Sequence, residues 1–278
     1  MRTVVLLLGI LLVFAATAGK AAEPQIPSFW DMKERLPKPP LSNLQRLRFL
    51  TTVDFPPFSY LDASGRLTGF HVDLARRICG ELAIADVCQI QALPWSELDA
   101  ALEGGQGEAI LAGIAVTPES RGKYAFSRSY MQFPARFVMR KASALSEPLH
   151  DQLAGKFIGV IAGSAHERML RAYFDGAIPI TYNRDEAMLE EVRAGRLDGA
   201  FGDGMRLAFW LSGTDSASCC RFAGGPYLAP EYLGAGLAIA VRPENAVLAD
   251  AFNFALHQIQ VNGAFAELYL RYFPLGFY

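Results

Sequence analysis

Residues 102–108 read LEGGQGE, and residues 192–198 read VRAGRLD. Each stretch closes a helix-like segment on an apolar residue, turns at a glycine (Gly105 or Gly195) and reaches an acid (Glu108 or Asp198). A run of small and apolar residues follows in both. The same helix–turn–strand grammar therefore occurs twice. Around the first copy, WSELDAALEGG predicts a helix from Ser96 to the glycines at 104–105, and EAILAGIAV predicts a strand. Upstream, LRFLTTV and CQIQALP read as strands, and HVDLARRICGELA has helical spacing of Val72, Leu74, Ala75, Ile78 and Leu82. Around the second copy, KFIGVIAG, IPITY and LDGAFGD read as strands, with helices at SAHERMLRAYF and DEAMLEEVRAG. GAGLAIAVR adds a strand, and two helices separated near Gly263 end the chain. Alternating strands and helices of these lengths make parallel βαβ units, and two sets make two α/β lobes. Superposing the copies puts Gly113 and Asp203 at equivalent points, each at the C-terminal end of its strand. Ligands of open α/β sheets bind there, so facing lobes would place both loops in one cleft.

Composition excludes several classes. The 278 residues carry a formal net charge of −2 and are 19% charged. That balance offers no electrostatic footprint for nucleic acid or an anionic membrane. Residues 1–22 read as a signal peptide: Arg2, an apolar run over 4–14, then small residues from Ala16 to Ala22. The run is shorter than the roughly 20 residues that span a bilayer, so an exported, non-spanning protein is expected. Residues 23–44, rich in proline and polar residues, read as an extended leader that packs on the surface. Export permits disulfides. Cys79 and Cys88 close a short loop, whereas adjacent Cys219 and Cys220 are expected to be reduced or partly buried thiols. His71, His150, His166 and His257 are dispersed, so neither a metal nor another cofactor is expected. His71, beside a turn, is expected at the surface or in a cap.

An ordered set of segments resembles the periplasmic substrate-binding proteins of amino-acid ABC importers (solute-binding family 3). The segments are FPPFSYLDASGRLTGFHVDLARRIC, ALPWSELDAALEGGQGEAILAGIAVTPESRGKYAFSRSY, IGVIAGSAHERML, GRLDGAFGD and NGAFAELYLRYFP. The resemblance runs from about Leu47 to the C-terminus. It implies the type II periplasmic binding fold: two lobes, each a mostly parallel sheet flanked by helices, joined by two hinge strands. Lobe 1 would be 45–138 plus 236–278 and lobe 2 would be 139–235, with crossings near FVMRKAS and GAGLAIAV. It also implies a monomeric, non-enzymatic clamp that closes on a small molecule and presents it to an inner-membrane ABC permease.

The resemblance assigns roles position by position. Phe55 and Trp95 match aromatics that pack on the ligand, against the alternative that they fill core, as Phe58 is expected to do. Asp203 matches the carboxylate that holds the ligand's amino group, and it can equally cap the helix that follows. Ser164 matches a residue that, with a helix N-terminus, holds the ligand carboxylate. A capping box with Glu167 is an equal alternative. Beside Gly113, the sequence departs from the pattern at 112–127, AGIAVTPESRGKYAFS. Ala115 stands at a hydroxyl position, and Ser120 stands where the family has an arginine that forks onto the carboxylate. Arg121 is one residue on, about 100° around if the segment is helical. The expected ligand is therefore an amine or another cationic or neutral metabolite, unless Arg121 or Arg136 reaches the cleft. Two further readings stay open. One is a sensor or adaptor of the same fold that uses the leader as a contact. The other is a cyclohexadienyl-dehydratase-like enzyme with Glu119 or Glu231 as its acid.

Overall fold

The computed structural model describes residues 26–42, 44–273 and 276–278. The expected signal peptide, and the first residues of the leader, lie outside the described residues. Lobe 1 starts with β1 (Leu47–Thr51) and a small antiparallel sheet of β2 (Asp54–Phe55), β3 (Ser59–Leu61) and β4 (Leu67–Thr68). Helix α1 (Phe70–Leu82), β5 (Cys88–Ala92), α2 (Leu98–Glu103), β6 (Ala109–Ile110) and β7 (Ala125–Phe126) follow. The chain then crosses to lobe 2 and forms β8 (Ala135–Arg140), β9 (Phe157–Ile161), α3 (Ala165–Tyr173), β10 (Ile178–Tyr182) and α4 (Asp185–Ala194). Next come β11 (Gly199–Asp203), α5 (Gly204–Ser212), β12 (Cys220–Tyr227) and α6 (Pro230–Leu233). It returns as β13 (Ala240–Val241) and ends with α7 (Ala246–Val261) and α8 (Ala264–Tyr272).

The two five-stranded sheets share one plan. Lobe 1 has the order β5-β1-β6-β13-β7, and lobe 2 has β10-β9-β11-β8-β12. In each, the first three strands are parallel, and the fourth runs opposite to the rest, pairing antiparallel with both its neighbours. The fourth strand of each sheet is delivered by the chain arriving from the other lobe. All of β8 pairs with strands of the second sheet, so the expected boundary at 138/139 falls inside a strand and the crossing precedes Ala135. On the return, Leu237 bridges both Ala115 and Met131.

The repeated motif has one physical cause in both copies. Gly105 and Gly195 adopt φ of +70° and +76°, a left-handed turn that ends the helix at little steric cost. The acid then exchanges bonds with the parallel strand beside it, β1 in lobe 1 and β9 in lobe 2. The Glu108 carboxylate accepts from Arg48 N (2.6 Å), and Glu108 N donates to Arg48 O (3.0 Å). The Asp198 carboxylate accepts from Phe157 N (2.9 Å), and Asp198 N donates to Phe157 O (3.0 Å). Each acid thus locks the edge of two parallel strands.

Lobe 1 buries an aromatic-rich core between its sheet and α1, α7 and α8. The leader is part of it. Trp30 is buried against His257, its ring faces the Arg128 guanidinium, and Arg128 pairs with Glu34. At the other terminus, the Tyr278 hydroxyl bonds Gln132 in the first crossing, and Arg136 Nη1 donates to Phe277 O (3.3 Å).

Cys79 and Cys88 are joined, tying the end of α1 to β5. Cys219 and Cys220 are also joined, which corrects the expectation of thiols. Ala217 and Ser218, with φ of 47° and 55°, turn the chain sharply just before this pair. His71 likewise departs from its expected place. Helix α1 begins at Phe70, so His71 lies in the first turn on the buried face, 1% exposed, and its Nε2 meets the Tyr130 hydroxyl at 2.8 Å.

Candidate functional site

The lobe 1 half of the cleft is an aromatic pedestal. Phe55 stacks on Phe58 with ring centroids 4.7 Å apart, and Phe58 stands 4.8 Å from the His71 ring. Phe58 is fully buried, as expected of core, and it supports the half-exposed Phe55. Gly113 makes room for that ring. Its φ is +88°, and a Cβ there would lie 2.6 Å from Phe55 Cε1. Trp95, in a single 3₁₀ turn, is 55% exposed and lines a cavity of about 280 Å³ with Phe55, Thr52 and Gly113. Burial of the His71 imidazole pushes its pKa down to about 3, so the pedestal carries no charge near neutrality.

At the lobe 1 positions that the resemblance assigns to a ligand carboxylate, the one hydroxyl is bonded within its own turn. Ser120 Oγ donates to Ala115 O (2.8 Å) and accepts from Thr117 N (2.9 Å). Its hydroxyl closes its own turn. Ala115 is exposed and contributes a carbonyl to that turn. Arg121 is exposed and does not join the lining of the cavities that hold Trp95, Phe55 or Asp203. Arg136 is 8% exposed, with its guanidinium 4.3 Å from the Phe222 ring and turned toward the C-terminal tail. The small Ser120 side chain borders a further cavity of about 250 Å³, on the side of Trp95 away from Phe55.

Lobe 2 brings the charge. Asp203 ends β11 and caps α5, its Oδ1 accepting from Arg206 N at 2.9 Å. Burial pushes this carboxyl up, against the Arg206 N–H, the Arg206 charge and the Met205 N–H, which pull it down. A carboxylate has about four acceptor sites, so capping leaves it able to take a cation. Ser164 caps α3 by accepting from Glu167 N (3.1 Å), and Glu167 accepts from Gly163 N (2.7 Å). The Ser164 cap is therefore present, while the Glu167 carboxylate takes the amide of Gly163 in place of that of Ser164, which donates to Ile161 O (3.2 Å).

Phe55 and Asp203 line one cavity of about 550 Å³ at the base of the cleft, with Phe133 from the crossing segment and Phe209 from α5. Sequence reasoning missed Arg206, Trp210 and the first turn of α4. Arg206 follows Asp203 by one helical turn, the one local signal that could have found it. Among the described residues, no group of three or more His, Cys, Asp or Glu side chains is arranged to hold a metal ion, and no helix is long and apolar enough to cross a membrane.

The chain is similar to several known proteins. The L-arginine-binding protein of Pseudomonas aeruginosa is 32% identical over 226 residues, covering 81% of this chain and 86% of that protein. The lysine/arginine/ornithine-binding periplasmic protein of Escherichia coli is 27% identical over 236 residues, covering 84% and 90%. Among solved structures, the L-cystine solute receptor of Neisseria gonorrhoeae, in an unliganded open conformation, shares the fold. Its TM-score is 0.72 at 18% identity, covering 85% of this chain and 96% of the receptor. The family model of the bacterial extracellular solute-binding proteins, family 3, matches residues 47–275, and the chain belongs to that family.

Proposed function

We propose that this chain is the periplasmic capture component of an ABC importer whose ligand is a small cationic amine or guanidine, bound without a grip on an α-carboxylate. Phe55 and Trp95 supply an aromatic clamp, which suits cations through the ring quadrupole. Asp203 supplies the counter-charge from the opposite lobe. Relatives named for arginine, lysine and ornithine support a basic ligand. The observation that carries the reading is Ser120, whose hydroxyl is bonded within its own turn at the position of the family's forking arginine. A bidentate arginine is the strongest side-chain grip on a carboxylate, and a serine folded onto Ala115 O has none.

The relatives are binding proteins, and the same role is inferred here in place of an enzyme. Glu231 accepts a hydrogen bond from Tyr173, which holds its pKa below the ordinary carboxylate range, opposite to what a general acid requires. Glu119 is exposed at the rim of the cavity beside Ser120.

Arginine and agmatine share a guanidinium and differ by one carboxylate, so they test the reading directly. Isothermal titration of the mature protein, freed of bound ligand by partial unfolding and refolding, should show agmatine binding at least as tightly as arginine. Arginine binding tenfold or more tightly than agmatine would overturn it.

A further inference from the structure

Neighbouring cavities of the cleft share lining residues. Trp95 lines the two cavities of lobe 1, and Phe55 lines both the second of these and the cavity at the cleft base. Asp203 and Arg206 line both that base and another cavity lying wholly within lobe 2. This last pocket holds about 350 Å³, within the range of pockets that enclose small ligands. Its floor is apolar: Phe201, Leu189 and Leu207 are buried, and half-buried Trp210 forms a wall.

The charges around the pocket do not cancel. Asp185, Glu186, Asp203 and Asp215 face it from α4, β11 and the turn after α5. Arg206 is the only Lys or Arg among its lining residues, and it is paired with Asp185 at 3.0 Å. His166, the remaining titratable group, is kept neutral at physiological pH by burial, which brings its pKa down to about 4. Three carboxylates are left over an apolar floor, reached from the cleft past Asp203.

From this adjacency at Asp203 and the uncancelled charge we infer that the lobe 2 pocket is a second subsite, which takes the far cationic end of an elongated di- or polyamine whose near amine sits at Asp203. The inference rests on the amine reading above. An aliphatic spacer would lie along Leu189 and Trp210, and the distal ammonium would meet Glu186 and Asp215. Both acids are exposed, so their replacement leaves the lobe core intact.

Putrescine and n-butylamine have the same four-carbon chain and differ by the second amine. Titrated into the mature protein, putrescine should bind at least tenfold more tightly. In the double variant Glu186→Gln, Asp215→Asn, putrescine should fall to the level of butylamine, with butylamine itself unchanged. Trp210→Phe, which keeps the apolar wall, should leave the putrescine preference in place and remove any fluorescence change at that wall. Equal binding of the two amines, or equal loss of both in the double variant, would overturn the subsite and leave the amine reading standing. Failure of both amines to bind while agmatine binds would overturn the subsite alone, and failure of all three would overturn the two readings together.

Discussion

The two lobes offer the cleft opposite chemistry from equivalent places. After β6, lobe 1 presents Gly113 and a turn whose serine hydroxyl is bonded to its own backbone. After β11, lobe 2 presents Asp203, which also caps its own backbone but keeps charge and acceptor capacity to spare. In the proposed reading, one side would recognise shape and aromatic faces and the other positive charge. The difference teaches that a local hydrogen bond removes a hydroxyl from ligand binding far more completely than it removes a carboxylate.

The largest expected effect comes from neutralising lobe 2. Asp203→Asn keeps an oxygen for the cap on α5 and removes the charge. Losing one partner of a desolvated charge pair costs about 2–5 kcal/mol, so agmatine affinity measured by calorimetry should drop roughly 30-fold or more. Unchanged affinity would mean that the acid is only a cap. The unliganded variant should melt no lower than the parent, because burial already disfavours the ionised form. Next in size is restoring the missing grip in lobe 1. The pair Ala115→Ser, Ser120→Arg should improve arginine binding by about 10- to 100-fold relative to agmatine, as one or two charge-assisted bonds contribute about 1.5–3 kcal/mol each. No gain would show that the loop no longer faces the ligand.

The last effect is read in stability rather than in affinity, as a divergence in acid. His71 has a folded pKa near 3 against an ordinary 6.5, so stability is full above about 6.5 and is lost as pH falls toward 3. Asp203 has the opposite sign. Its folded pKa is raised, so its contribution is greatest below the ordinary carboxylate range and is lost as pH rises through the folded value. Acidification should therefore weaken lobe 1 before lobe 2. In melting curves between pH 6.5 and 3, His71→Gln should flatten a slope of up to about 1.4 kcal/mol per pH unit. An unaltered slope would place the acid sensitivity elsewhere.

How much of this could be read from sequence follows from locality. The Gly105/Glu108 and Gly195/Asp198 pairs were readable because each feature, a left-handed turn and an acid returned to the neighbouring strand, sits within a few residues of the next. The helices around them were readable from spacing alone. Asp203 and the loss at Ser120 were readable as residue types, because the resemblance marks those positions. The lobe 2 pocket was not, because Glu186 and Trp210 lie on helices separated by a buried strand and meet only once the sheet forms. His71 misled because one turn of helix decides whether a residue beside Gly69 points inward. The first crossing misled because β8 looks the same in sequence whichever sheet it joins.

Each disulfide has both ends in one lobe: Cys79–Cys88 in lobe 1 and Cys219–Cys220 in lobe 2. Oxidation therefore hardens each lobe and leaves the joint between them alone. Were the lobes to close on a ligand as the proposed function requires, no covalent bond would have to be remade, and a change of redox conditions would alter how long the protein lasts rather than how readily it binds.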